Sequence, residues 1–210
     1  MPELFLDESK AKNYVFIGIL VAEVEAPRVR KRVAALKLPR QRSVHFVKES
    51  DSRRRKLLQD FKSIGFTAVK FECEEKNQKL AREKCVKAVA SFAIREGISR
   101  LVFELDESSL SNDEKWLKEA IQTSRAELGF RHQARNEEPL LWVADAVAWC
   151  DARGGDWKQR ISSLILDSYK VDCQTRNSAR RPSGRLPSSL CKARALHMNR
   201  LRPTSDKSNH

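Results

Sequence analysis

Short apolar runs alternate along the chain with longer stretches of helical spacing, a pattern that predicts a mixed α/β domain. LFLDES and the apolar run from Tyr14 to Ala22 read as two early strands, joined by a short polar connection around Lys10 to Asn13 that suits a hairpin. From Ala26 to Leu38 the spacing is helical and ends before Pro39, whereas SVHFV reads as a short strand. Asp51 is placed to cap a basic helix running to about Ile64 and closed by Gly65, after which FTAVKFEC alternates as a strand. A helix from about Lys76 to Arg95 stops at Gly97; the strand RLVFELD follows, then a helix from about Ser111 to Leu128 closed by Gly129. FRHQAR reads as a further short strand. In PLLWVADAVAWCDA, Pro139 suits the first helical position, and Glu137 and Glu138 complement the positive end of that helix.

Two of these strands end in the same residues, Leu6-Asp7-Glu8-Ser9 and Leu105-Asp106-Glu107-Ser108. If they lie parallel and adjacent, Asp7 and Asp106 converge at one sheet edge, where open α/β sheets build their sites. Glu104 precedes Asp106 by two positions and so shares its strand face. Crowded carboxylates without a cation raise at least one pKa, a conflict that a divalent ion resolves. Asp145 is an independent clue, because LLWVADAVAW is apolar nearly all round. A carboxylate buried in such a helix needs hydrogen bonds, a metal, or a charged partner such as Arg131 or Arg135. Carboxylate and water ligands suit Mg²⁺ or Mn²⁺ better than Zn²⁺. The set of Asp7, Asp106 or Glu104, and Asp145 is of the kind that two-metal phosphoryl transfer uses. Glu8, Ser9, Glu107 and Ser108 fit better as turn or cap residues.

His45 and Lys48, in SVHFVKES, lead into the cluster Arg53-Arg54-Arg55-Lys56. His45 is suited to orienting a phosphate or relaying a proton near neutral pH, and Lys48 to neutralising developing charge. His132 and His197 stand alone. Trp142 and Trp149, seven apart on one helix face, read as core packing. No Gly-rich phosphate loop or GxSxG elbow occurs, and kinase and nucleotide-switch readings fail.

Composition adds a partner. Lys plus Arg exceed Asp plus Glu by 41 to 28, a formal charge of +13, which favours a polyanion, with nucleic acid first. The charge is uneven: residues 172–210 carry +7 and residues 1–171 only +6. Repeated Ser, Arg and Pro in RNSARRPSGRLPSSL predict a flexible basic tail, so the expected organisation is a domain over 1–168 followed by a tail over 169–210. Five cysteines without a CxxC pair indicate neither a disulfide framework nor a zinc ribbon and fit the reducing cytosol. The longest apolar run falls far short of the ~20 residues that span a bilayer, and acidic residues from Glu3 to Glu8 argue against a signal peptide, so the expected location is cytoplasmic, away from membranes.

Taken together, LFLDES, HFVK, the strand ending FELDES and LLWVADAVAW, spread over about residues 3 to 150, resemble in order and spacing the bacterial domain of unknown function 3800 family. The resemblance implies a ribonuclease H-like fold, a mixed central sheet flanked by helices, whose acidic residues bind Mg²⁺ for phosphodiester hydrolysis. Carried over by position, Asp7 is the first-strand carboxylate, Asp106 or Glu104 the fourth-strand carboxylate and Asp145 the helix carboxylate, with His45 and Lys48 flanking them. Members commonly have Gly where Lys10 stands, and often Gln where Trp142 precedes the Ala-Asp pair. The leading expectation is a divalent-metal-dependent nuclease acting on DNA or RNA. A non-catalytic nucleic-acid-binding or interaction protein on the same fold is the alternative, and a hydrolase of a small phosphate compound ranks third.

Overall fold

The computed structural model describes residues 1–171; the expected flexible tail, from 172 onward, lies outside the described residues. Strand β1 (Pro2–Ser9) divides its side chains between two cores. Phe5 enters one, with Asp7 in step on the same face; Leu4 and Leu6 enter the other, as a period of two requires. Both faces are therefore covered, and β1 is buried throughout its middle.

Hairpin partner β2 (Tyr14–Ala22) runs antiparallel to β1, and β3 (Thr67–Cys73) antiparallel to β2. Strands β4 (Arg100–Glu104) and β5 (Gly129–Gln133) continue the sheet on the other side, each parallel to its neighbour. β6 (Ile165–Val171) pairs parallel with β3, giving the order β5-β4-β1-β2-β3-β6. The expected boundary after residue 168 falls inside β6, whose pairing with β3 continues to Val171.

Helices α1 (Ala26–Ala34), α2 (Asp51–Ile64), α5 (Leu140–Arg153) and α6 (Gly155–Ile161) contribute to the core on the Phe5 face; α3 (Gln78–Glu96) and α4 (Leu110–Ser124) contribute to the Leu4 face. α5 lies across β1 and β2 and is buried nearly all round, as its apolar sequence predicts. Gly65 and Gly97 end α2 and α3 in the left-handed conformation, with φ of 87° and 66°. Among the described residues no helix is long and apolar enough to cross a membrane, and Cys73, Cys85 and Cys150 are buried without forming a disulfide.

Four local expectations are corrected. SVHFV is not a strand: Val44 and Phe46 are buried, but Phe46–Lys48 closes into a 3₁₀ turn, and the Phe46 and Val47 carbonyls accept from Arg54 of α2. Ser50, not Asp51, caps α2, its Oγ accepting from Arg53 N. α4 ends at Arg125, which takes φ of 56°, while Gly129 opens β5. α6 and β6 go beyond the elements read from the patterning, because β6 is an edge strand whose side chains are at best half-buried.

Candidate functional site

The parallel register of β1 with β4 sets the end of β4 beside Asp7, as the repeated strand endings suggest. Glu104 is the last residue of β4, and α5 offers Asp145 from the helical layer. These three carboxylates meet around one guanidinium, that of Arg135, two residues beyond β5. Arg135 donates from Nε and Nη2 to the Glu104 oxygens at 2.9 and 2.7 Å and from Nη1 to Asp145 Oδ2 at 2.6 Å; its Nη2 stands 3.6 Å from Asp7 Oδ2. The Arg135 carbonyl accepts from Trp142 Nε1 at 2.6 Å, which ties the loop carrying the arginine to the start of α5.

Asp7 also accepts from Glu8 N at 2.7 Å, and Asp145 from Phe46 N at 2.9 Å. Burial, with Asp7 only 7% exposed, pushes its carboxyl well above the usual carboxylate range; the charges of Glu104 and Asp145 push it further, and Arg135 opposes them. Arg135 itself is held charged by Asp145, Glu104 and Asp7 against the effect of burial. Three carboxylates thus share one fixed cation, and the site carries excess negative charge. It opens into a cleft of about 210 Å³ between the ends of β1 and β4, lined by Leu6, Asp7, Glu8, Phe16, Glu104, Leu105, Asp106 and Arg135.

Between the two candidates on the fourth strand, the geometry separates Glu104 from Asp106. β4 stops at Glu104, so the alternation that would hold both on one face stops too. Asp106 turns into the loop before α4, accepting from Ser108 N and Oγ at 3.1 and 2.6 Å and from Ser109 Oγ at 3.0 Å. These bonds, that from the Ser108 hydroxyl foremost, hold its carboxyl below the usual range. Its charged neighbours are Lys10 and Arg82, each at 4.0 Å.

His45 lies beside the cluster. Its imidazole is pulled below its ordinary pKa by burial and by the charges of Arg135 and Lys48, against Asp145 and Glu104, which favours the neutral ring. Lys48 is exposed on the same turn. Of the arginines proposed as partners for Asp145, Arg135 fills the role; Arg131 instead lies 3.6 Å from Glu138. Trp142 is buried, and Trp149 packs edge-on against Phe46, with ring centroids 5.4 Å apart.

A second polar group lies on the opposite face of the sheet, where the sequence pattern suggests a turn or cap role for Glu8 and leaves His132 alone. Arg82 of α3 makes paired bonds to Asp113 at 2.7 Å each, contacts Glu8, and donates to Tyr14 Oη at 2.8 Å. His132 Nε2 completes it, 3.2 Å from Asp113 Oδ2, with the ring stacked on Phe103. The available signal was an arginine on the apolar side of a long helix, which must find a buried anion. Glu8 therefore belongs to this packing network and is not a cap.

The donor chemistry of Asp7, Glu104 and Asp145 fits a hard divalent cation: every ligand atom is a carboxylate oxygen, and the charge is in excess. As the side chains stand, however, the guanidinium is wedged among them. Among the described residues no three Asp, Glu, His or Cys side chains close into a group able to hold a metal ion. A metal would have to displace Arg135.

No family model and no curated protein matches the chain. Among solved structures, the chain is similar to one in the PCNA:RNase HII complex from Archaeoglobus fulgidus, with a TM-score of 0.50 and 13% identity over 100% of this chain and 97% of that one. At that identity the likeness is one of fold. With the mixed six-stranded sheet and its flanking helices, it establishes the ribonuclease H-like architecture expected from the sequence.

Proposed function

We propose that the protein is a divalent-metal-dependent nuclease that hydrolyses phosphodiester bonds in DNA or RNA. The observation that carries this reading is the meeting of Asp7, Glu104 and Asp145, from β1, β4 and α5, at one edge of a ribonuclease H-like sheet. An assembly of three carboxylates around one cation, with Asp7 buried, is an expensive arrangement for packing alone. With Arg135 withdrawn, these carboxylates would hold Mg²⁺ or Mn²⁺, which would neutralise phosphate charge and lower the pKa of a bound water.

The chain's own residues supply the rest. Phe46 N fixes the Asp145 carboxylate by a hydrogen bond from the backbone. His45, favoured as a neutral ring, offers a proton acceptor beside the carboxylates, and Lys48 offers a charge for a phosphate oxygen. Arg135, released from Glu104 and Asp145, becomes a phosphate ligand within the same cleft. The resemblance to the domain of unknown function 3800 family points the same way, on the residues LFLDES, HFVK, FELDES and LLWVADAVAW.

The ion pairs of Arg135 also favour a second reading, a nucleic-acid-binding or interaction protein whose acidic residues are a salt-bridged scaffold. The test incubates wild type and Asp7→Asn with labelled single-stranded DNA, duplex DNA, RNA and hybrid, in Mg²⁺, Mn²⁺ or EDTA. Cleavage that needs metal and is lost in the variant supports the nuclease. Binding without cleavage in every condition supports the scaffold.

A further inference from the structure

The segment between α1 and α2, residues 35–50, has little secondary structure of its own yet is tightly seated. Two arginines of α2 grip its backbone. Arg53 donates to Leu36 O, and Arg54 donates from Nε to Phe46 O at 2.8 Å and from Nη2 to Val47 O at 2.6 Å. Arg54 is fixed in turn over the Trp149 ring at 4.4 Å. Val44 and Phe46 are buried beneath the segment, and Phe46 N reaches Asp145. The basic cluster at the start of α2 thus spends two of its guanidinium groups on carbonyl oxygens and not on phosphates.

What this seating presents outward is a different set of cations. Lys37, Arg40, Arg42 and Lys48 are exposed, and among the described residues none of their side chains has a hydrogen bond or an ion pair. The one carboxylate of the segment, Glu49, is buried and already bonded to Gln41 Nε2 at 2.9 Å. Arg40 adopts φ of 69°, an uncommon conformation for a side-chain-bearing residue, and turns the segment at its outer end. Leu38 and Val47, 45% and 50% exposed, stand among the cations as apolar surface.

We infer that this segment is the backbone-binding element for a nucleic-acid strand led to the acidic cluster. The carboxylate site is negative and repels phosphates, so a strand led to it needs an attractive surface beside it. Four unpaired cations on one anchored segment suit the repeated charge of a phosphodiester chain, and the apolar side chains among them suit sugar or base faces. A small phosphate compound would engage only one or two of these charges. This inference rests on the nuclease reading for where the strand leads, but not for whether it binds.

The experiment is fluorescence anisotropy of the full chain with a labelled single-stranded RNA and a labelled DNA duplex, in EDTA, across a salt series. Wild type is compared with a variant carrying Lys37→Ser, Arg40→Ser, Arg42→Ser and Lys48→Ser. A charge-matched control carries Lys62→Ser, Lys76→Ser, Lys79→Ser and Lys115→Ser, all at exposed positions elsewhere. The segment variant should bind at least tenfold more weakly at 0.1 M salt, and its slope of log K against log salt should fall by roughly 3 to 3.5, because each of four phosphates no longer neutralised removes about 0.7 to 0.9. The control should change the slope by less than about 1, and Arg40→Lys with Arg42→Lys should keep the wild-type slope. Equal slopes for the segment variant and the control overturn the inference. Because no metal is present, wild type that binds through the segment yet never cleaves in Mg²⁺ sinks only the nuclease reading, and wild type that cleaves with an unchanged segment slope sinks only this one.

Discussion

Arg135 Nη1 lies 2.6 Å from Asp145 Oδ2, so a residue from the loop after β5 supplies the charge that a carboxylate on an otherwise apolar helix requires. The same guanidinium serves Glu104 and Asp7, and it occupies the position between the carboxylates that a divalent ion would take. On the proposed nuclease reading, Arg135 and a metal would compete for one anionic site.

Arg135→Ala should destabilise the protein in EDTA by about 2–3 kcal/mol, somewhat below the range for breaking a fully buried pair, because the arginine side chain is 18% exposed. Added Mg²⁺ or Mn²⁺ should then raise the melting temperature of the variant more than that of wild type, since the competing cation is gone. A variant that loses stability but gains nothing from either ion would count against a metal at these carboxylates.

Asp7→Asn should act in the opposite direction. Burial and two neighbouring carboxylates disfavour the charged form of Asp7, and its approach to Arg135 is long at 3.6 Å. A neutral amide of the same shape removes that repulsion, so the variant should gain about 1 kcal/mol in EDTA while losing metal-dependent cleavage. Thermal melts alongside the cleavage assay decide it. A drop of several degrees would mean that Asp7 is a structural anion.

Much of the architecture was legible because the sequence repeats a physical requirement in residue after residue. Leu4, Phe5 and Leu6 must each find a core on alternate faces, which places β1 inside the sheet, and Asp145 on an apolar helix must find a partner. What stayed hidden depended on where an element stops. A period of two puts Glu104 and Asp106 on one face only while the strand continues, and the strand stops between them. The alternation of Val44 and Phe46 has the same appearance in a strand and in an anchored turn; the carbonyl-gripping arginines of α2 decide for the turn. For Asp145 the sequence leaves hydrogen bonds, a metal or an arginine such as Arg131 or Arg135 open, because a loop residue's direction depends on backbone geometry that patterning does not encode.

Glu104→Gln and Asp106→Asn should therefore part company in a cleavage assay. Glu104 faces Arg135 within the carboxylate group, so its replacement should lower the metal-dependent rate by a hundredfold or more, on the order of the effect of removing one essential charge-stabilising group. Asp106 is committed to Ser108 and Ser109, so its amide should leave the rate within about threefold and instead loosen the start of α4 by roughly 1 kcal/mol. The reverse outcome would place the metal on the Lys10 side of the cleft.

Asp113 gives a pH dependence separate from the acidic site. Burial raises its pKa, but the paired bonds from Arg82 and the interaction with His132 more than offset this, leaving the carboxyl below its ordinary value. A carboxylate depressed in the folded state contributes stability that is complete above its unfolded pKa, near 4, and is lost as pH falls through the folded value. Wild type should thus lose stability below about pH 4 through this group. Asp113→Asn should be weaker by about 3–5 kcal/mol at pH 7, with Arg82 left buried and short of an anion, and its stability should fall less steeply into acid. Urea denaturation of both proteins between pH 3 and 7 tests this: parallel profiles would mean that Glu8, and not Asp113, supplies the anion that Arg82 needs.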